Sequence, residues 1–342
     1  MTGRRPSSRG PTRRDVAQLA GVSDAVVSYT LNGGSPVAPA TAQRVLAAVE
    51  QLGYQPNQAA RALRSGSART LVFLVPSGPD PIFANPFFSE YASTLEAAAR
   101  ERGYALYTTA TSFEPAEVLA RFREFASRQF DGVLVLPGEP AVDRASVDRV
   151  GLPWVALNVA TPERGVGSLG VDLRAGAMAT TRHLLEHGYE RVGYVGEANP
   201  HEPRYIGWLQ ACADAGVAAG PFVPADITRP GGRDAGRRIA GDAEVRGNAR
   251  AFFVASDRTA VGLMRAFHER GVAVPADVAI ASFDGSWEGE YAWPTLTSFR
   301  QPIEEMARSA VQRVLEGGED PRHELFDGEL VLRMSCGCDL PG

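Results

Sequence analysis

Two short stretches of the sequence carry residue types and spacings that known chemistry uses. The stretch "HLLEH", from His183 to His187, places two histidines four residues apart, which puts both on one face of a helix, as in a class of zinc enzymes. The stretch "GVGSLG", from Gly165 to Gly170, has the Gly-x-Gly-x-x-Gly spacing of a loop that binds a dinucleotide pyrophosphate. Either match would indicate an enzyme if the neighbouring sequence also supplied the strands, helices and further ligands that the motif requires.

Neither stretch has the surroundings that its chemistry requires. His187 directly precedes Gly188 at the last turn of a predicted helix, where a histidine meets the negative helix end, and no third metal ligand follows at a suitable spacing. No strand leads directly into Gly165, and Val171 and Asp172 separate the last glycine from the next helix. The sequence also lacks a Walker loop, a nucleophile elbow and a kinase signature. We therefore expect no enzyme, no cofactor and no metal site.

The cysteine content and the distribution of apolar residues indicate a reducing compartment. Cys212, Cys336 and Cys338 are too few for a disulfide framework, and Cys-x-Cys is a poor metal-ligand spacing, so we expect free thiols. The sequence has neither an apolar run of about 18 residues nor the apolar segment that a signal peptide needs after its positive charges. The prediction is a cytoplasmic protein without a membrane partner.

The charge of the chain divides into a basic head and an acidic body. The 342 residues carry a net charge of -5, yet up to Arg69 nine arginines face only three acidic residues. The head is therefore positive and the remainder strongly negative. This asymmetry predicts a polyanion partner for the head alone.

The head has the pattern of a helix-turn-helix, "TRRDVAQLAGVSDAVVSYTLNGG". Thr12 is expected to cap a helix over 13–20 that Gly21 ends, and Ser23 to cap a second helix over 24–31. The second helix would enter the DNA major groove. The residues of the two helices and the turn that are predicted to face the core are Val16, Ala20, Val22, Val27 and Leu31. The residues of the second helix that are predicted to face outwards are Asp24, Ala25, Ser28 and Tyr29.

The rest of the chain predicts four further regions. Residues 1–11 are expected to form a disordered basic tail. The helix-turn-helix domain is expected to cover 12–56, with a third helix over about 40–52. Residues 57–69 are expected to form a hinge helix and linker. From residue 70, apolar runs such as "TLVFLV" and "AFFVAS" alternate with amphipathic segments, which predicts an α/β body of two parallel-sheet lobes. We place the first lobe at about 70–165 plus 295–325, and the second at about 166–294 plus 326–342.

Several motifs in order make the sequence similar to the lactose/galactose repressor (LacI/GalR) family of transcription factors. They are the head pattern, "VAPATAQRVLAAVEQLGYQPNQAARALRSG", "NPFF", "RYIGW", "ASDRTAVG" and "ASFDG". The resemblance spans the chain from Thr12 onwards. It implies a helix-turn-helix module, a hinge helix and a core like the periplasmic binding proteins, which dimerises and binds a small effector.

The resemblance also implies a set of DNA contacts. Leu63 stands where the family inserts a leucine wedge into the minor groove; the alternative is an ordinary apolar contact with its dimer mate, and both can hold in different states. Tyr29 replaces a common base-reading arginine, and Asp24 either accepts from a cytosine amine or caps its own helix. The full predicted set is Thr12, Arg13, Arg14, Ser23, Asp24, Ala25, Ser28, Tyr29, Asn32, Tyr54, Asn57, Ala60 and Leu63.

The effector site is inferred in the same way. Arg204 and Asp284 match the arginine and aspartate with which the family grips its ligand, and such a pair suits sugar hydroxyls. Phe87 and Phe88 match positions that stack on a sugar ring, with plain core packing as the alternative. Weaker matches are Asn158, Ser256, Asp257 and Gln301, and because "TRPGGR" (228–233) lacks an aromatic residue, Trp287 is the candidate for a second ring contact.

Together these patterns predict a repressor that acts as a homodimer on a near-palindromic DNA operator and responds to a small effector, most simply a carbohydrate. A purine or other non-sugar effector stays open as an alternative. A solute-binding protein of a transporter shares the bilobal body but requires export.

Overall fold

The computed structural model describes residues 11–32, 36–55, 66–77, 82–136, 144–159, 166–317 and 322–338. The chain separates into two compact units, Met1–Ala68 and Arg69–Gly342. The predicted tail of 1–11, apart from its last residue, and most of the predicted hinge helix lie outside the described residues.

The described part of the first unit is helical and matches the pattern expected from the sequence. Its helices are α1 (Arg13–Ala20), α2 (Asp24–Asn32) and α3 (Pro39–Leu52). Thr12 and Asp15 form a reciprocal capping box at the start of α1, and Gly21 ends the helix at φ 64°, a backbone angle that favours glycine. The shared core of the three helices consists of Val16, Ala17, Ala20, Val27, Val45 and Ala48, with Val22, Leu31, Val49, Leu52 and Tyr54 packed against it. The predicted inward set is confirmed.

The second unit is built on two sheets that are parallel except at one edge. In the described residues the first sheet has the strand order β11-β5-β4-β3-β1-β2, and the second has the order β12-β10-β9-β8-β6-β7, in which only the β12–β10 pair is antiparallel. The strands are β1 (Thr70–Pro76), β2 (Ala105–Thr111), β3 (Gly132–Val135), β4 (Trp154–Ala156), β5 (Ser168–Val171), β6 (Val192–Gly196), β7 (Phe222–Pro224), β8 (Ala251–Val254), β9 (Ala279–Asp284), β10 (Thr297–Arg300), β11 (His323–Phe326) and β12 (Glu329–Val331).

Helices connect the parallel strands and cover the sheets. Their sequences have the apolar periodicity that buries one face of a helix against a sheet. They are α4 (Pro86–Glu101), α5 (Pro115–Ser127), α6 (Arg144–Asp148), α7 (Leu173–Glu186), α8 (Pro203–Asp214), α9 (Arg229–Gly241), α10 (Ala243–Asn248), α11 (Asp257–Glu269), α12 (Glu288–Tyr291) and α13 (Ile303–Leu315), with 3-10 turns at Ile82–Ala84 and Met334–Cys336. None of the helices in the described part of the chain is long and apolar enough to cross a membrane.

Within the described residues, the chain passes between the two sheets at three points, and two of them differ from the predicted lobe limits. The predicted second lobe began at residue 166, but β5 (Ser168–Val171) belongs to the first sheet, where it pairs with β4 and β11. The predicted first lobe resumed at residue 295, but β10 (Thr297–Arg300) pairs with β9 and β12 in the second sheet. The sequence does not specify which strands are neighbours in a sheet, because only tertiary packing fixes that. The third crossing lies between β11 and β12.

Two helices of the second lobe pack unusually closely because glycines line their contact. A Cβ atom built on Gly232 of α9 would lie 1.9 Å from the Thr259 carbonyl oxygen, and one on Gly262 of α11 would lie 2.0 Å from that of Arg229. Helix α9 covers the stretch "TRPGGR", which the sequence analysis treated only as lacking an aromatic residue. The side chain of Thr228 caps it by accepting from the backbone N–H of Gly231.

Candidate functional site

Helix α2 carries the polar face that was expected to read DNA. Ala25 is exposed, the Tyr29 side chain is 45% exposed and Ser28 is half-buried, whereas Val27 is fully buried against α1 and α3. The outward set of α2 is therefore confirmed as a surface. Its contacts with bases stay a prediction.

Arg13 and Asp24 are joined by a two-pronged ion pair across the turn of the helix-turn-helix. Nε of Arg13 donates to Oδ1 of Asp24 at 2.7 Å, and the second guanidinium nitrogen donates to Oδ2. Neither interpretation of Asp24 considered this partner. The pair fixes α1 against the start of α2 and occupies an arginine that was expected to contact phosphate.

The other predicted DNA contacts have different surroundings. Thr12 is used in the helix cap, where its hydroxyl donates to Asp15 at 2.7 Å, and Arg14 is exposed. Ser23 Oγ accepts from the backbone N–H of Val26 at 3.4 Å, as expected for a cap. Tyr54 packs against the three-helix core. The side chains that lie outside the described residues are those of Asn32, Asn57, Ala60 and Leu63.

The predicted effector residues of the second lobe converge at the carboxyl ends of parallel strands. Ser256 and Asp257 follow β8, Asp284 is the last residue of β9 and Gln301 follows β10. Nε2 of Gln301 donates to Oδ1 of Asp284 at 3.2 Å. Arg204, at the start of α8, reaches the same edge, because its guanidinium donates to the carbonyl oxygen of Ala255, the residue after β8. Ligands bind at this edge in open parallel sheets.

The Arg204 side chain is held rigidly at this edge. Its Nη1 donates to the Ala255 carbonyl oxygen at 2.7 Å, its Nε donates to Oε1 of Glu202 at 2.7 Å, and its guanidinium lies 5.7 Å from the centre of the Phe283 ring. Among the described residues, Nη2 has no hydrogen-bond partner, so this edge of the guanidinium is available to a ligand. Glu202 also accepts from the Tyr194 hydroxyl at 3.0 Å.

Glu202 was missed by the sequence analysis. It directly precedes Pro203, and its carboxylate caps α8 by accepting from the backbone N–H of Tyr205 at 2.9 Å. The proline at the first helical position was a readable signal of the helix start, but Glu is not among the residues that usually cap a helix, so the role of Glu202 depends on the folded structure.

Asp257 has a structural role beneath the site. It is 1% exposed and accepts hydrogen bonds from the hydroxyls of Ser282 and Ser298 and from the backbone and hydroxyl of Ser286, at 2.5–2.9 Å. Burial raises the pKa of Asp257 against the opposing effect of these hydrogen bonds. The network ties β9, β10 and the following loop to α11.

Asp284 is the carboxylate best placed to meet a ligand. Burial, and then the negative charge of Asp257, raise the pKa of Asp284 to about 8, although Arg204 and Gln301 act in the opposite direction. Its backbone has a φ of 108°, which is strained for a residue with a side chain. Both features are typical of groups that serve a binding site rather than stability.

The first lobe contributes residues at the carboxyl ends of its own strands. Asn158 follows β4 with a φ of 55°. Phe87 is 6% exposed and packs against Tyr91 with ring centres 5.7 Å apart, so core packing describes it better than ligand stacking. Phe88 is half-buried, and Trp287 is 52% exposed.

Contacts across the two lobes place these edges opposite each other. The backbone N–H of Trp287 donates to Oε1 of Glu90 on α4 at 2.7 Å. Nη1 of Arg229 donates to the Ala84 carbonyl oxygen at 3.1 Å, and its other nitrogens pair with Glu288. The crevice between the sheets is thus bridged by polar contacts from both sides.

The fold brings Cys336 and Cys338 next to His183 and His187, for which the sequence placed no third ligand, with all ligand atoms within 4.8 Å of one another. In the glycine stretch of the sequence, residues 168–170 lie in strand β5 and not in a loop that opens a helix.

Comparison with known proteins decides the family. Residues 12–57 match the model of bacterial regulatory proteins of the lacI family, and residues 181–336 match a periplasmic binding protein-like domain. The HTH-type transcriptional regulator CelR of Thermobifida fusca is 31% identical over 343 aligned positions, covering 96% of this chain and 98% of CelR. The chain belongs to the LacI family of bacterial regulatory proteins.

Solved structures agree with this assignment. The transcriptional regulator CelR–cellobiose complex is 28% identical with a TM-score of 0.68, covering 95% of this chain and 99% of that one. The lac repressor dimer bound to operator and an anti-inducer shares the fold at 21% identity, with a TM-score of 0.79 over 96% of this chain and 99% of that one. This LacI-family protein is a DNA-binding transcriptional regulator with the predicted two-part architecture, and the fold-class prediction is confirmed.

Proposed function

We propose that this LacI-family regulator is a repressor that acts as a homodimer on a near-palindromic operator in the cytoplasm, and that a carbohydrate bound between its two lobes controls its operator affinity. The observation that carries the proposal is the convergence of Arg204, Asp284 and Gln301 at the strand ends that face the opposite lobe.

The chemistry of the crevice suits a polyhydroxylated ligand. A sugar hydroxyl both donates and accepts, and the site offers the Arg204 donor beside the Asp284 carboxyl group. Of the buried side-chain oxygens that have no hydrogen-bond partner among the described residues, three belong to the predicted effector residues, namely Asn158 Oδ1, Ser256 Oγ and Gln301 Oε1. These acceptors are costly unless a ligand satisfies them. A purine offers fewer donors to such a set.

The contacts between the two lobes define the closed arrangement, whose population a bound ligand changes. Closure is held by Arg229 with Ala84 and by Trp287 with Glu90. A ligand that contacts both lobes favours the closed arrangement by its differential affinity for it. In a dimer, this shift changes whether the two 57–69 segments meet and whether the paired heads engage both half-sites. We expect the effector to release the operator.

The effector is tested by thermal unfolding of the full chain with a panel of mono- and disaccharides and with purines. A saturating ligand at about 100 times its Kd stabilises the folded state by about 2.7 kcal/mol, so the unfolding transition rises clearly. Arg204→Ala and Asp284→Asn should abolish this rise. The matched controls Arg182→Ala and Asp214→Asn, at exposed positions of α7 and α8, should retain it.

The outcomes separate the alternatives. A rise with a purine and none with any sugar would replace the carbohydrate assignment by the purine one. A rise that survives in both Arg204→Ala and Asp284→Asn would place the ligand elsewhere. The DNA part is tested separately by anisotropy with an inverted-repeat fragment and by light scattering for the dimer. Equal affinity for the fragment and for random duplex, with and without ligand, would refute the repressor function.

A further inference from the structure

Four side chains from distant parts of the sequence meet at one end of the second lobe. Nε2 of His187 lies 3.1 Å from Sγ of Cys338, Nε2 of His183 lies 3.6 Å from the same sulfur, and Sγ of Cys336 lies 3.3 Å from it. The ligand atoms of all four residues lie within 4.8 Å of one another. The repressor function proposed above uses none of these groups.

Local structure presents each pair of ligands in a fixed orientation. His183 is in the last turn of α7 and His187 caps that helix, so the two rings share one face with centres 4.7 Å apart. Cys336 ends the 3-10 turn that follows β12, and Cys338 is two residues further on. The second sheet brings the two elements together. Helix α7 packs on one face of that sheet, and the segment that carries Cys336 and Cys338 reaches the same face.

The arrangement of the ligands fits a tetrahedral ion. With Zn–S bonds of about 2.3 Å and Zn–N bonds of about 2.0–2.1 Å, ligand atoms stand about 3.3–3.8 Å apart. The distances of 3.1–3.6 Å from the Cys338 sulfur lie close to that range, and the other pairs, at up to 4.8 Å, reach it when the side chains shift towards a common centre. Two thiols and two imidazoles form the donor set that zinc takes in closed structural sites. We propose that His183, His187, Cys336 and Cys338 bind one zinc ion.

The surroundings of Cys336 hold the thiol in place for this role. The Thr297 hydroxyl lies 3.1 Å from its sulfur. The neighbouring Ser335 hydroxyl donates to the Ile280 carbonyl oxygen at 2.7 Å, which ties the segment to β9. A supporting hydroxyl and a fixed backbone are the second layer that metal ligands need.

The site has a structural role because the protein supplies all the ligands. An ion there would fasten the segment after β12 to the end of α7, the helix that follows the first crossing between the lobes. His187 is exposed and the other ligands are at least partly buried, so an ion has a path from solvent. The expected consequence is a second lobe whose unfolding temperature depends on zinc.

The test uses reduced, tag-free full-length protein, treated with a chelator and then loaded with zinc or cobalt(II). Elemental analysis after desalting should give about one zinc per chain. Cobalt should give the intense visible bands of a tetrahedral site and a sulfur-to-metal charge-transfer band. Zinc should raise the unfolding temperature of the chelator-treated protein. Cys338→Ser and His187→Gln, at the more accessible positions, should lose metal and spectrum while circular dichroism shows the same fold.

Cys212→Ser and His201→Gln are the matched controls, since neither residue belongs to the cluster, and both variants should bind zinc as the parent does. The proposal is overturned if the loaded protein retains no stoichiometric zinc, or if cobalt gives the weak spectrum of an octahedral site. A Cys336–Cys338 disulfide that persists in the reduced preparation, or zinc retained in both Cys338→Ser and His187→Gln, also overturns it.

Discussion

Replacing Asp24 by asparagine releases the Arg13 guanidinium from its ion pair at the edge of the predicted DNA surface. The paired side chains are 27% and 41% exposed, so the pair contributes at most about 1 kcal/mol to folding and the variant should remain folded. One negative charge disappears next to DNA, and one arginine becomes available to a phosphate. We therefore expect tighter binding at low salt.

The size of the effect follows from counterion release. Each additional phosphate contact steepens the plot of log affinity against log salt by about 0.9. From 50 to 200 mM salt, the variant should lose about three to four times more affinity than the parent. Anisotropy titrations at several salt concentrations, with inverted-repeat and random duplexes, measure this slope.

Two further variants make the result specific. Glu50→Gln removes the same charge from an exposed position of α3 and should leave the slope nearly unchanged. Arg13→Ala combined with Asp24→Asn should cancel the steepening. An unchanged or shallower slope in Asp24→Asn alone would refute the reasoning. Weaker binding to one operator with unaltered random-duplex affinity would show instead that Asp24 accepts from a base.

Three other predictions concern packing and pH. Gly262→Ala puts a Cβ atom 2.0 Å from the Arg229 carbonyl oxygen, and calorimetry should show a loss of about 2–3 kcal/mol, whereas an unchanged transition would contradict the close helix contact. Burial raises the pKa of Asp284 to about 8, so between the ordinary carboxyl pKa of about 4 and this value the folded state holds a proton that the unfolded state has lost, and unliganded stability falls as pH rises through that window and levels off above it. Asp284→Asn should lose this part of the fall between about pH 5 and 8 in denaturant titrations, and equal pH profiles would count against it. Val27→Ala should lower the stability of the three-helix core by about 2 kcal/mol and weaken the hydrogen-exchange protection of α1 to α3, while the protection of the second unit stays as in the parent.

Local signals were sufficient for the head and for most of the long elements of the body. The caps at Thr12 and Ser23, the glycine at 21 and the spacing of buried valines predict α1 and α2 within one residue of their observed ends. These features work because a helix end depends on the few residues beside it. Short strands gave weaker signals, and five strands of three or four residues each were not identified, namely β5, β7, β10, β11 and β12.

The candidate effector site was predicted through the family resemblance, residue by residue. The structure brings Arg204, Asp284 and Gln301 to one edge, whereas it assigns Asp257 to a buried serine network and Phe87 to the core. A motif identifies the residue type, but its neighbours decide whether the side chain faces a ligand or the interior. Glu202 is the opposite case, because it was not predicted and yet holds Arg204 at this edge, a role that depends on the helix that it caps.

The sequence by itself determined the helix-turn-helix, the alternation of strands and helices, and the basic head on an acidic body, because each depends on neighbouring residues or on composition. Tertiary structure alone decided which lobe holds β5 and β10, how Arg13 pairs with Asp24, and that the His183 pair meets the Cys336 pair. The physical reason is distance along the chain. Groups up to about 150 residues apart are neighbours only after the sheets have formed and their helices have packed, and no local spacing encodes that approach.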